Sequence, residues 1–340
     1  MKKLNLRGTR LISGLLSFLL LFTMITGCNQ EEEMPAPQLA PEENIAQVLE
    51  NFDQEIDDFG DDQNARFKRR VPTFITLLAA LKYTGLFKTV VKNQLTIFAP
   101  DDRAFAEIGL NFFNIRTIDK EVLTNILLYH VLPGKKFARD LSDCYEETLN
   151  EDHLNILING GVKVKGEGND EPSKVLKANL RALNGVIHIV EDVLIPPTNT
   201  IADIAGAAAP FSTLVSVVSN YPDLLAAIQD PNSNFTVFAP TNAAFDKIAS
   251  VLPLLTADQI KTVLLHHIVP ARAFSCDLSE GLEIPTQLSG NPITFQNGEL
   301  VASSGIPVSL ATDFLDIQAN NGVIHGINEV LLPKEIVEAL

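Results

Sequence analysis

The pattern of apolar and polar positions along this chain is written twice. Phe74, Leu77, Leu78 and Leu81 fall on one face of a predicted helix, and Leu214, Val217 and Val218 do the same further on. Each helix is followed by a β-rich run, Thr96-Ile97-Phe98-Ala99-Pro100 or Thr236-Val237-Phe238-Ala239-Pro240, whose final proline is expected to stop strand pairing. A polar cap comes next, Asp101 or Thr241, opening a short helix that carries Phe105 or Phe245. A stronger helix is predicted from Asp119 to about His130, and again from Thr256 to His267. Thr256 with Gln259 has the form of a capping box, which Asp119 with Val122 lacks. The rest of each copy reads as short strands split by Gly and Asn turns, closing on Asn-Gly-Val-Ile-His at 184–188 and 321–325. Helices first and strands last predict an α+β module with antiparallel sheets.

The copies are offset by 137 positions at Leu127–Pro133 and Leu264–Pro270, and at the two Asn-Gly-Val-Ile-His runs. At Thr96 and Thr236 the offset is 140, because the second copy gains a short insertion around Asp230-Pro231-Asn232. Pro196-Pro197-Thr198-Asn199 makes a natural boundary, since the proline pair fits neither a helix interior nor a central strand. The expected organisation is a leader at 1–27, an acidic tether at 28–43, a first domain at 44–197 (core from about 70) and a second at 198–337, each folding independently.

Lys2, Lys3, Arg7 and Arg10 precede an apolar run from Leu11 to Ile25, which has the form of a signal peptide and is too short to span a membrane. It ends in Ile25-Thr26-Gly27-Cys28, which resembles the lipobox of bacterial lipoproteins. That resemblance implies cleavage before Cys28 and anchorage through acyl chains on its thiol, with more than one chain needed for stable attachment. Cys28-Asn29-Gln30-Glu31-Glu32-Glu33 resembles the acidic signals that send some lipoproteins to the outer face of the outer membrane; a plain acidic spacer fits equally well, leaving the periplasmic face open.

The chain has 26 basic and 42 acidic residues, and the leader holds four of the bases and no acid. Residues 29–65 carry twelve acids and no Lys or Arg. Within them Ile45, Val48, Leu49, Phe52, Ile56 and Phe59 recur at helical spacing, predicting a capping helix over 44–59. Such acidity argues against nucleic acid, because no basic stripe is available to displace counterions. Cys144 and Cys276 do not align between the copies, which excludes a repeated bridge within each domain. A bridge between domains and two free thiols both stay open.

Three ordered phrases resemble the fasciclin domain family: Thr-Val-Phe-Ala-Pro-Thr-Asn-Ala-Ala-Phe at 236–245, Tyr129-His130 running into Val131-Leu132-Pro133-Gly134, and the two Asn-Gly-Val-Ile-His runs. The resemblance spans about residues 70–335. It implies two tandem modules, each a compact antiparallel β-sandwich with helices packed over it, and a role in cell adhesion or extracellular-matrix binding. The first copy departs from the pattern with Asp101-Asp102-Arg103 in place of Thr-Asn, which puts any ligand read by Asn242 in doubt there. The second has His266 where the first has Tyr129.

His130 pairs with His188, and His267 with His325, 58 apart in both copies. A metal pair is one reading. Helical spacing favours another, because His130 follows Leu123, Ile126 and Leu127 on the apolar face and His267 follows Ile260, Val263 and Leu264. All four are expected to be structural, with Asn184, Asn321, Phe105 and Phe245. Tyr129 and His266 lie about 100° around the helix and are expected to reach solvent. With Thr241 and Asn242 they form the candidate binding set. No cofactor, metal or catalytic motif is indicated: there is no Gly-x-Ser-x-Gly, His-Glu-x-x-His, phosphate loop or Cys-x-x-Cys. The leading expectation is a surface-anchored, non-enzymatic adhesion protein recognising an extracellular protein or glycan. The alternatives are an accessory lipoprotein capturing carbohydrate for uptake, or a polysaccharide-acting enzyme. Oligomeric state is not legible.

Overall fold

The computed structural model describes residues 42–52 and 72–339. Cys28, the leader and the tether up to 41 lie outside the described residues, as do Ile56 and Phe59. What is described of the capping helix is α1 (Ile45–Asn51), closed at its start by a reciprocal capping box between Asn44 and Gln47. Among the described residues no single helix is long and apolar enough to cross a membrane.

The first module continues with α2 (Ile75–Thr84), α3 (Phe87–Lys92), β1 (Leu95–Pro100), α4 (Asp102–Glu107), α5 (Lys120–Tyr129) and β2 (Val131–Pro133). Strands β3 (Cys144–Glu147), β4 (His153–Leu157), β5 (Lys163–Lys165), β6 (Ser173–Ala182) and β7 (Gly185–Val190) follow. The second repeats the plan: α6 (Ile201–Ala207), α7 (Ser212–Val218), α8 (Pro222–Gln229), β8 (Phe235–Pro240), α9 (Asn242–Lys247), α10 (Ala257–His266) and β9 (Ile268–Val269). It closes with β10 (Glu283–Ile284), β11 (Ile293–Gln296), β12 (Glu299–Val301), β13 (Pro307–Val308), β14 (Ile317–Ala319), β15 (Gly322–Ile327) and α11 (Lys334–Glu338).

One pairing in each module departs from the antiparallel expectation. β1 runs parallel to β7, and β8 runs parallel to β15, the first strand of each module lying beside its last. The pairing extends through the closing prolines, Pro100 opposite Val190 and Pro240 opposite Ile327, so these prolines end the strand without interrupting the ladder. The parallel pair is buried on both faces, as such pairs usually are. Ile97 and Ala99 face the helices, while Phe98 points into a second core with Leu132, Leu154, Ile156 and Val190. Phe238 does the same in the second module with Ile284, Ile293, Leu300 and Ile327. The near-continuous apolar run of these short strands follows from that double burial, and the polar exceptions Thr96 and Thr236 are buried with their hydroxyls bonded to the carbonyls of Gly134 and Ala271.

The first module forms one seven-stranded sheet in the order β2-β1-β7-β6-β5-β4-β3, bent where β6 shifts register against β7. The second splits into two four-stranded sheets, β10-β11-β12-β13 and β14-β15-β8-β9. Gly185 and Gly322 open the last strands because a Cβ there would sit 2.1 Å from the Leu95 carbonyl oxygen or 2.0 Å from that of Phe235.

Candidate binding surface at the junction of the two modules

The repeated motif residues hold the fold together. His130 Nδ1 lies 2.7 Å from the Ile126 carbonyl, and His130 Nε2 accepts the Leu194 N–H at 2.9 Å. His267 makes the same pair of contacts with Val263 and Leu331 at 2.7 and 3.0 Å. Each imidazole thus ties the end of its helix to the segment after the last strand, with the proton on Nδ1 and a lone pair on Nε2. Burial holds both rings neutral, His130 down to about 4 and His267 to about 3. His188 and His325 stack on Phe98 and Phe238, and each presents Nε2 to a backbone carbonyl, that of Lys136 or Ala273.

Asn184 and Asn321 act as clamps. The Asn184 side-chain oxygen accepts the Ile45 N–H, the first of α1, while its amide donates to the carbonyls of Val90, Val91 and Asn93. Asn321 does the same for Ile201 at the start of α6 and for the loop before β8. Phe105 and Phe245 sit in the helical cores.

The candidate binding set is placed differently from the expectation. Tyr129 and His266 are fully buried, not exposed, because the face they occupy is covered by the strand half of the module. The Tyr129 hydroxyl donates to the His153 carbonyl at 2.9 Å and receives the Glu167 N–H. Among the described residues His266 meets no partner in good geometry at either ring nitrogen. Burial lowers it to about 4, with Glu335 and the Asn291 backbone pulling the other way. Thr241 caps α9 through the Ala244 N–H. Asn242 caps α7 through the Thr213 N–H and donates to the Ala209 carbonyl. In the first module Asp102 takes that place, its carboxylate accepting from Thr73 Oγ1 and the N–H groups of Ile75 and Thr76. The Asp-for-Asn departure therefore leaves the helix cap intact.

The structure brings other residues together, where the modules meet. The described residues of both modules belong to one compact unit. Cys144 at the start of β3 and Cys276, in the turn after Phe274, form a disulfide with Cα atoms 5.8 Å apart. Beside it Tyr145 stacks on Phe274, and the His153 ring tilts against the same phenyl at 4.9 Å. Arg272 reaches across the junction: Nη2 donates to Asp152 Oδ1 at 3.2 Å and to the Asn320 carbonyl at 2.7 Å, and Nε donates to Asn234 Oδ1 at 3.0 Å. Both members of this ion pair are more than nine-tenths buried. Burial lifts Asp152 to about 6 although Arg272 and Asn150 oppose it. Burial also raises Glu167 to about 7, against Lys165 and the Gln318 backbone amide of the other module. His153 is held down to about 4 by burial and by the nearby Arg272 charge. The linker prolines Pro196 and Pro197 are buried, and Asn320 bonds back to Thr198 and Asn199.

The repeat pattern carried no direct sign of this junction: Cys144, Asp152 and Arg272 have no repeated counterparts of the same type, and Phe274 has its counterpart in Phe137, which marks a shared turn and not a contact between modules. The unmatched cysteines were the available signal. In the second copy Asp316 holds a left-handed backbone position (φ 55°) and caps Ser275, and Asn179 (φ 64°) does the same for Ala138.

The Fasciclin domain profile matches residues 72–196 and 209–333, so the chain belongs to the fasciclin domain family, as a tandem pair. It is similar to transforming growth factor-beta-induced protein ig-h3 of Sus scrofa, at 30% identity over 71% of this chain and 35% of that protein. Human periostin is 28% identical over 73% of this chain and 30% of its own length. Protein sll1483 of Synechocystis is 36% identical over 39% of this chain and 73% of that protein. The chain spans about a third of the length of the first two relatives. A solved FAS1 domain pair from the insect cell adhesion molecule fasciclin I aligns over 76% of this chain and 94% of its own, at 19% identity and a TM-score of 0.35. That leaves the family assignment resting on the sequence match.

Proposed function

We propose that this chain is a surface-anchored, non-enzymatic binding protein that recognises an extracellular protein or glycan. The observation that carries the reading is the pairing of two fasciclin domains through the Cys144–Cys276 bridge. Disulfides form and persist in oxidising compartments outside the cytoplasm, which suits the adhesion and extracellular roles typical of fasciclin proteins. The apparent leader and the Ile25-Thr26-Gly27-Cys28 box support anchorage to the outer membrane by lipid on Cys28. The four motif histidines are occupied by backbone carbonyls and amides, which argues for scaffold over catalysis.

Two experiments test this. Cys28→Ala should abolish detergent-phase partitioning, and protease added to intact cells should remove the modules; partitioning unchanged by the variant would contradict the anchor, and protection from protease would move the protein to the periplasmic face. A matrix-protein and glycan array probed with the anchored chain in detergent should show specific capture, and an empty array would contradict the binding role. A second reading, capture of carbohydrate for uptake, is favoured by the polar cleft at the module junction.

A further inference from the structure

The modules enclose between them a cleft of about 500 Å³, within the ~300–1,000 Å³ typical of small-ligand sites. Asparagines dominate its lining. Asn125 and Asn150 come from the first module, and Asn232, Asn234 and Asn320 from the second, with Pro197 and Thr198 of the linker between them. Asn232 belongs to the insertion that distinguishes the second copy from the first. Pro231 and Asn232 of that insertion line the cleft, and the motifs both copies share do not.

Its side chains are already aligned by a continuous network. Asn150 Nδ2 donates to Asn125 Oδ1 at 2.9 Å and to Asp152 Oδ2 at 3.1 Å; Asp152 accepts from Arg272, and Arg272 donates to Asn234. Two polar atoms at the cleft are buried without a partner among the described residues. One is Arg272 Nη1, on a side chain only 8% exposed, and the other is Asn320 Oδ1. Both atoms lie beneath the wall and out of reach of solvent, so the groups the cleft presents are the exposed amides of Asn125, Asn232 and Asn234.

We propose that this cleft binds a neutral saccharide. Each sugar hydroxyl both donates and accepts, and each asparagine amide offers both in return. Charge decides between ligand classes. Asp152 neutralises the single cation and Glu151 adds a negative charge, which disfavours an anionic sugar. Arg272 in the wall disfavours a metal cation, and among the described residues the only cluster of three possible metal ligands is elsewhere, with its two cysteines spent on the disulfide. No aromatic side chain lines the cleft, so selectivity comes from hydrogen bonding without a stacking platform.

The inference rests on the binding role proposed above and commits it to one place and one ligand class. The test is saturation-transfer NMR on the full chain in detergent. The probes are neutral gluco-, manno-, galacto- and xylo-oligosaccharides, with galacturonic acid and calcium chloride as the other probes and the array's matrix proteins in parallel. At least one neutral oligosaccharide should bind. The double variant Asn125→Leu/Asn232→Leu, at two exposed positions, should weaken it by about ten-fold or more with an unchanged melting midpoint. Asn232→Ala alone should weaken it in the same direction and serves if the double variant does not fold. Saccharide binding that survives the variants overturns the cleft and leaves the binding role standing. Binding of the uronate or calcium in place of neutral sugar overturns the ligand class. Matrix-protein capture without any saccharide binding overturns the whole inference, while failure of every probe sinks the binding role as well.

Discussion

Tyr145 of the first module lies flat on Phe274 of the second, ring centroids 3.9 Å apart and planes 9° from parallel. The contact stands between the Cys144–Cys276 bridge and the buried Arg272–Asp152 pair, so covalent, aromatic and ionic links meet at one junction. Flexible tethering of the two domains does not fit that arrangement.

Cutting the bridge with Cys276→Ser should cost roughly 2–4 kcal/mol, the usual range for a disulfide, because it joins residues 132 apart. Differential scanning calorimetry should record a lower midpoint for the variant than for the oxidised chain. An unchanged midpoint would mean that the remaining contacts fix the junction without it.

His267→Ala should be among the most damaging single changes in the second module. It empties a buried position and strands the Leu331 N–H, and an unsatisfied buried group costs ~1–3 kcal/mol on top of lost packing. Asn242→Ala should cost about 1 kcal/mol as a lost helix cap, where an exposed ligand contact would cost almost nothing. Chemical denaturation of the two variants separates these roles.

Stability should fall as pH drops from about 6.5 towards 4. The unfolded chain takes up protons on histidine from about pH 6.5, whereas folded His130, His153 and His266 resist to about 4 and His267 to about 3, so acid favours unfolding across that window. Asp152 and Glu167 act in the opposite sense. Their raised values, about 6 and about 7, favour the fold at low pH and cost stability as pH rises through those values. Glu167→Gln should therefore raise stability at pH 8 by less than about 1 kcal/mol after solvent screening, read as a higher melting midpoint, and leave the midpoint unchanged at pH 4. Equal gains at both pH values would contradict the account.

The second module's helical core contains an apolar cavity of about 60 Å³ lined in part by Ala205, Leu214 and Val237. Ala205 corresponds to Leu49, counting from Ile201 and Ile45, whose N–H groups bond to Asn321 and Asn184. Ala205→Leu should fill the space and add roughly 0.5–2 kcal/mol, read as a higher midpoint. A lower midpoint would show that the site cannot accept the extra carbons.

The repeat, the helices and the inward histidines were legible because periodicity reports which face of an element is buried. Tyr129 and His266 were misplaced by the same logic: a helix roofed by strands on a second side buries residues that lie off its main apolar stripe. The parallel β1–β7 pairing was hidden, since strand order depends on contacts about 90 residues apart that local pattern does not encode. Asn242 read as a ligand contact because a side-chain cap for a helix 30 residues upstream leaves no local trace. The junction was illegible for a related reason. Asp152, Arg272, Tyr145 and Phe274 look like ordinary surface residues until the two modules are set against each other.

The most direct test of the central claim, that the modules form one body, is residual dipolar couplings measured across the oxidised chain. A single alignment tensor should fit amides from 72–196 and 209–333 together. Two tensors differing in magnitude or orientation would mean that the modules move independently, and the shared junction would not exist as described.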